Sequence, residues 1–175
     1  YDSASWRGTW KLDGGALMNQ ASHYIDLIDW LIGPVDSINA QIATISREIE
    51  VEDTATINIK WKQGTLGTMA VTMLTYPKNL EGSITILGEK GTVRIGGVAV
   101  NNIDIWEFED ESDQDKFVNS SKYIPDNVYG FGHKLYYSNL FEVLKGNEDP
   151  ICDGDQGLKS LELLDAAYRS HKENK

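Results

Sequence analysis

Cysteine is almost missing from this 175-residue chain. Cys152 stands alone, which excludes an internal disulfide and any site built from several thiolates. A lone cysteine of this kind is expected to act as a small, partly buried hydrophobe, and the reducing cytoplasm is the expected compartment. Long apolar runs are also missing. The longest, Tyr24 to Ile32, is interrupted by Asp26 and Asp29, whereas a membrane-spanning helix needs roughly 18 uninterrupted apolar residues. The opening residues Tyr1, Asp2 and Ser3 form neither a basic stretch nor an apolar one, so no secretory signal is expected. Positive charge is scarce: 16 Lys and Arg stand against 27 Asp and Glu, giving −11. An acidic surface repels phosphate backbones, so nucleic acid is not expected as a partner. No G-x-G-x-x-G follows a strand-like segment, and no β-α-β alternation occurs. Nothing in the chain is therefore expected to hold a dinucleotide unaided. Gly88-Glu89-Lys90-Gly91 lacks phosphate-loop spacing and reads as a hairpin turn. Internal repeats and low-complexity tracts are absent as well.

What is present is ordinary for a globular domain: 41% apolar and 25% charged residues, enough chain for one domain with its own core. Residues 1–13 read as an extended lead-in, broken by Gly14-Gly15. From Ala16 to Ile32 the period is helical, with Leu17, Ala21, Tyr24, Ile28 and Leu31 on one stripe,; Gly33-Pro34 ends that helix. Ser37 to Ser46 is strand-like. Asp53 to Trp61 alternates Ala55, Ile57, Ile59 and Trp61 inward against Thr54, Thr56, Asn58 and Lys60 outward,. Gln63-Gly64 turns into a partner strand over Thr65 to Thr75. Ser83 to Leu87, Thr92 to Ile95, Val98 to Val100 and Ile103 to Phe108 continue the sheet. Glu109 to Lys122 reads as an acidic surface loop. Two helices close the chain. One runs from Gly132 to Lys145, with Leu135, Leu140, Phe141 and Leu144 inward. The other runs from Asp155 to Lys172 on Leu158, Leu161, Leu164, Ala167 and Tyr168, capped by Asp153 or Asp155,. The expected fold class is α+β: one domain with a large, mostly antiparallel sheet and helices on one face.

The first helix has a second face. Asn19, His23, Asp26 and Trp30 follow one another at spacings of four, three and four residues, which aligns an amide, an imidazole and a carboxylate. Oxidising a hydroxyl to a ketone requires a base within hydrogen-bond reach, and histidine suits that task near neutral pH. Asp26, one turn on, is placed to hold the imidazole in one tautomer. The same spacing also describes a plain solvated helix face. His23 and Asp26 are too few for a metal site, so no metal is expected.

The stretches Trp6-Arg7-Gly8-Thr9-Trp10, Asp13-Gly14-Gly15-Ala16-Leu17-Met18-Asn19-Gln20-Ala21-Ser22-His23-Tyr24-Ile25-Asp26-Leu27, Tyr76-Pro77-Lys78-Asn79-Leu80-Glu81-Gly82-Ser83 and Asn127-Val128-Tyr129-Gly130-Phe131-Gly132-His133 together resemble the C-terminal domain of the Gfo/Idh/MocA oxidoreductases. Within that family, Trp-Arg-Gly-Thr-Trp, Leu-Met-Asn-Gln and Val-Tyr-Gly-x-Gly-His are most similar to dehydrogenases acting on C3 of UDP-linked N-acetylglucosaminuronate. The resemblance implies that residues 1–175 form a substrate-binding and oligomerisation domain with the dihydrodipicolinate-reductase-like fold. NAD or NADP would be bound mainly by an N-terminal Rossmann domain outside this chain, which opens on Tyr1 rather than Met. His23 matches the family's catalytic histidine. Asn19 stands where many members have Asp and would hydrogen-bond the sugar through an amide. Arg7 and Lys78 would meet a substrate carboxylate or phosphate, although Lys78 reads equally as an exposed loop lysine. Trp6 would wall the pocket or serve the core, as would Trp10. Tyr129 and His133 are further pocket candidates, His133 doubling as a helix start. The implied protein is a cytoplasmic homodimer or homotetramer that oxidises a nucleotide sugar in polysaccharide biosynthesis. A dehydrogenase of a free sugar or myo-inositol, and a non-catalytic sugar-binding or oligomerisation module, are the alternatives.

Overall fold

The strictest alternation in the sequence becomes the central strand of a three-stranded antiparallel sheet. In a computed structural model describing residues 4–80, 82–97, 100–110, 112–113, 115–118 and 131–174, the chain divides into two compact units. One comprises Tyr1–Lys78 and Cys152–Lys175, the other Asn79–Ile151.

In the first unit, β1 (Val35–Ala43), β2 (Thr54–Trp61) and β3 (Leu66–Thr72) lie in the order β1-β2-β3. Ile57 sits opposite Ala40 on one side and Met69 on the other. The inward set of β2 is buried as expected, and its partners Thr56, Asn58 and Lys60 are exposed. Each large apolar side chain so buried contributes about 1.5–3 kcal/mol. Among the described residues of this unit, helices cover that face. A π-helical segment (Ala16–Ala21) lies on β2 and β3. It leads into α1 (Ser22–Ile32), which packs on α4 (Gly154–Glu173), and α4 lies along β1. The edge of β1 is protected: the Ala40 N–H donates to Ser170 Oγ (3.0 Å) and the Ile42 N–H to His171 Nδ1 (3.3 Å). Helix-borne acceptors thus cover an edge that would otherwise template pairing with another chain. Asp153 caps α4 by accepting from the Gln156 N–H at 2.9 Å, and Gly33, at φ +108°, ends α1.

The second unit carries β4 (Ile84–Gly88), β5 (Gly91–Gly96) and β6 (Asn102–Phe108) in the order β4-β5-β6, a short α2 (Asp115–Val118) and α3 (Gly132–Leu144). Gly88 pairs with Gly91, so Glu89-Lys90 is the expected hairpin turn.

The α+β class holds, and several finer expectations need correction. Among the described residues each unit contributes a three-stranded antiparallel sheet. The lead-in is turn-rich from residue 5 to residue 13 rather than extended. β1 ends at Ala43, because the next residues bend around a buried carboxylate. The first helix is π before it is α. A π turn closes i→i+5 hydrogen bonds instead of i→i+4 and so shifts the phase of the helix beyond it. The buried stripe is therefore Leu17, Ala21 and Ile25, with Ile28 and Ile32 partly buried, while Leu31 is exposed. Of the expected α4 stripe Leu164, Ala167 and Tyr168 join the core, together with Leu163, while Leu158 and Leu161 are exposed. Leu135, Phe141 and Leu144 of α3 are exposed, and no described side chain of that helix is buried. Periodicity marks a stripe, but burial requires a partner surface. Cys152 is exposed, not partly buried. Val98 and Ala99 lie outside the described residues, and Val100 is a bend at φ +52°. The acidic stretch 109–122 contains α2, anchored where Asp115 accepts from the Trp106 indole N–H (2.8 Å) and the Ser112 N–H (2.5 Å).

The buried carboxylate beyond β1 is Asp53, fully inaccessible to solvent. It accepts the N–H groups of Ile45, Ser46 and Arg47, each at 2.9 Å. Burial pushes its pKa up, but these three donors and the Thr54 hydroxyl outweigh it and bring the value down to about 2. A carboxyl with a depressed folded pKa stabilises the fold above its unfolded value, and that contribution disappears as pH falls through the folded one. Asp53→Asn presents an amide where only acceptors fit and is expected to cost about 1–3 kcal/mol at neutral pH. Urea titrations should show the gap between wild type and variant narrowing as pH drops from about 5 to 2. A gap independent of pH would contradict this account.

Candidate functional site

The polar face expected on the first helix exists: Asn19, His23, Asp26 and Trp30 are all exposed. Its members are not tied to one another as the spacing suggests. Asp26 accepts a hydrogen bond from Ser160 Oγ of α4 at 2.5 Å, and no hydrogen bond joins it to His23. The aspartate expected to orient the imidazole instead clamps α1 to α4. Tyr24, next to His23, is half-buried, and burial raises its phenol above the ordinary value, so it is no base at neutral pH. His23 itself makes no hydrogen bond among the described residues, which leaves both ring nitrogens available.

What fixes this face is the start of the π segment. The first N–H groups of a helix have no partner within it, and here one residue, Glu52, supplies two. The Ala16 N–H donates to the Glu52 carbonyl oxygen at 2.9 Å, and the Leu17 N–H to Glu52 Oε1 at 2.8 Å. Tyr168 of α4 donates its hydroxyl to the same Oε1 at 2.8 Å. Glu52 is 2% exposed, and its Oε2 has no hydrogen-bond partner among the described residues. The Gly14-Gly15 pair follows from this contact. Gly14 adopts φ +85°, and a Cβ on Gly15 would lie 2.3 Å from Glu52 Cδ.

The 6–10 loop is fastened to the same acidic segment. The Glu50 N–H donates to the Gly8 carbonyl at 3.0 Å, and the Trp10 N–H to Glu50 Oε2 at 3.2 Å. The Trp10 ring meets Tyr168 edge-on, with centroids 5.5 Å apart. The Arg7 guanidinium lies over the Trp6 ring, 5.3 Å from its centroid. Arg7 also lines a shallow depression of about 450 Å³ with Gly8, Thr9, Glu48 and Glu50. Asp13 closes the cluster. Its Oδ2 accepts the Gly8 N–H at 2.7 Å and its Oδ1 the Asn19 amide at 2.6 Å. Asp13 thereby ties Asn19 to the loop that carries Trp6 and Arg7.

Lys78 is exposed, and neither a hydrogen bond nor an ion pair ties it to this cluster. His133 is exposed in the first turn of α3, in the second unit, so it does start a helix. Tyr129 lies outside the described residues. Asp13, Glu50, Glu52 and Ser160 escaped the sequence reading. The only available signal was Asp13 directly before Gly-Gly; the other three are acidic or small residues indistinguishable from surface.

A dinucleotide is held where a glycine-rich turn leads from a strand into a helix in a parallel unit. Every strand pair among the described residues is antiparallel. These residues therefore do not fit a dinucleotide.

The Glu52 contact generates a stability prediction. Glu52→Leu strands the Leu17 N–H and the Tyr168 hydroxyl and is expected to cost about 2–5 kcal/mol. Glu52→Gln keeps an acceptor and should cost clearly less. Gly15→Ala should destabilise as strongly as Glu52→Leu, because backbone as well as side chain must move. Chemical unfolding of the three variants measures the order; equal stability of Glu52→Leu and Glu52→Gln would refute it.

Comparison with known proteins extends this picture. No curated relative matches the chain. Among solved structures, the WlbA dehydrogenase of Bordetella pertussis, crystallised with NADH and UDP-GlcNAcA, is 56% identical with a TM-score of 0.94. The match covers 100% of this chain and 51% of that one. The WlbA dehydrogenase of Chromobacterium violaceum, with the same two ligands, is 59% identical with a TM-score of 0.92, covering 100% and 49%. A levoglucosan dehydrogenase shares the fold at 18% identity, with a TM-score of 0.77 over 97% of this chain and 52% of that one. The chain thus spans about half the length of these relatives. A model of the oxidoreductase family's C-terminal alpha/beta domain matches residues 1–175, and the chain belongs to that Gfo/Idh/MocA family.

Proposed function

We propose that these residues form the substrate half of an NAD-dependent dehydrogenase that oxidises a hydroxyl, at C3, of UDP-linked N-acetylglucosaminuronate. The observation carrying this reading is the identity of 56% and 59%, over the entire chain, to dehydrogenases crystallised with NADH and UDP-GlcNAcA. The nicotinamide, supplying the two-electron acceptor, is held by a Rossmann domain outside residues 1–175. His23 receives the hydroxyl proton, its imidazole making no hydrogen bond among the described residues. Asn19 hydrogen-bonds the sugar. Arg7, exposed and stacked on Trp6, grips the uronate carboxylate in the bidentate manner a guanidinium favours. Lys78 meets a second anionic group. Asp26 supports His23 indirectly by fixing α1 against α4.

Two further parts of the proposal concern the whole protein. It works in the cytoplasm, and a second copy covers the open face of β1-β2-β3. Among the described residues of the first unit no helix packs on that face, and its centre is polar: Asn39, Asn58, Gln41 and Thr56 face one another across the strands. Light scattering of the whole protein should give a dimer or tetramer, and a clean monomer would remove this part.

The decisive assay follows NADH formation by the whole protein with UDP-N-acetylglucosaminuronate, beside free glucose and myo-inositol. Turnover of the UDP-uronate alone is expected, with His23→Ala lowering kcat by about 10²–10⁴-fold. Turnover of a free polyol would move the substrate class. Unchanged kcat in the variant would remove His23 from proton transfer.

A further inference from the structure

We infer that Asp13 is a positioning residue that fixes which end of the Asn19 amide the substrate meets, and so makes Asn19 a hydrogen-bond acceptor. The inference rests on the proposed function and adds a residue that the polar helix face does not contain.

An amide side chain has two chemically opposite ends of nearly equal shape, and only its surroundings choose between them. Asp13 makes that choice here. An ionised carboxylate accepts and never donates, so the Asn19 atom 2.6 Å from Asp13 Oδ1 must be Nδ2. Asp13 is not free to turn away. Its other oxygen holds the Gly8 N–H at 2.7 Å, and its own N–H donates to the Thr9 carbonyl at 3.1 Å. The loop bearing Trp6 and Arg7 therefore holds the carboxylate, and the carboxylate holds the amide. On the far end, Asn19 Oδ1 receives Gln20 Nε2 at 3.1 Å. A carbonyl oxygen carries two lone pairs, so one remains for a ligand hydroxyl. Asn19 stays exposed and presents an acceptor to a sugar without carrying a charge.

The pairing is reciprocal, which provides a test that simple loss of structure cannot mimic. In Asn19→Asp two carboxylates meet at the former 2.6 Å contact, and like charges at that distance cannot both ionise without repulsion. In Asp13→Asn the amide placed at position 13 can donate, so Asn19 can turn its oxygen inward and lose its outward acceptor. In the double variant D13N/N19D every hydrogen bond is restored with the roles exchanged. The amide oxygen at 13 accepts the Gly8 N–H, its nitrogen donates to the carboxylate at 19, and that carboxylate keeps an oxygen outward.

In the whole protein with NAD+ and UDP-N-acetylglucosaminuronate, each single variant should raise KM about tenfold, the worth of one hydrogen bond of ordinary-to-good strength, with a much smaller change in kcat. For Asn19→Asp, kcat/KM should fall further as pH rises and the second carboxylate ionises. The double variant should return KM to within about threefold of wild type and flatten that pH dependence. A double variant no better than Asn19→Asp, or single variants with wild-type KM, would overturn the inference. Wild type is assayed first, so failure of the functional reading appears separately, as absent turnover in every form. The same rescue is then read on thermal stability: Asn19→Asp should lose stability as pH rises and the double variant should not, while identical pH profiles for the two would overturn the pairing.

Discussion

The buried carboxylate of Glu52 is the contact on which the rest of the first unit depends. A helix that begins inside a protein leaves backbone N–H groups that water cannot reach. Glu52 meets two of them, one through its carbonyl and one through its side chain, and adds the Tyr168 hydroxyl from the last helix. One residue thus joins the sheet, the π segment and α4. Its neighbours extend the effect: Glu50 fastens the 6–10 loop, and Asp53 gathers the turn after β1. This short acidic segment holds three otherwise separate pieces of chain.

That arrangement explains why the exposed polar face sits where it does. The π segment is pinned at its start and flows into α1 without a break, and α1 is clamped farther along by the Asp26–Ser160 contact. His23 stands between two fixed points. Its imidazole makes no hydrogen bond among the described residues while the backbone beneath it is held, as the proposed proton-transfer role requires.

The Gly14-Gly15 pair shows how a motif recognised by resemblance acquires a cause. Gly15 lies against Glu52 closely enough to exclude a Cβ, and Gly14 sits at φ +85°, where side chains are strained,. Asn19 gains a cause too. Read as a residue type, it offers a donor and an acceptor alike; beside Asp13, only one orientation is compatible with an acceptor-only neighbour.

Read alone, the sequence determined whatever depends on local periodicity and turn chemistry. The alternation over Thr54–Trp61, the Gly88–Gly91 hairpin, the stop at Gly33-Pro34 and the exposed face of Asn19, His23, Asp26 and Trp30 all follow from neighbours along the chain. Tertiary structure alone decided whatever depends on partners distant in sequence. Glu52 and Asp53 look like surface acids until the sheet buries them. Asp26 finds Ser160 across 134 residues. The stripes of α3 and the start of α4 stay exposed because periodicity supplies an apolar face but not a surface to cover it. The π turn belongs to this second class as well: the helix start is held by the carbonyl and the carboxylate of Glu52, the latter contact spanning 35 residues, and no local pattern encodes that demand.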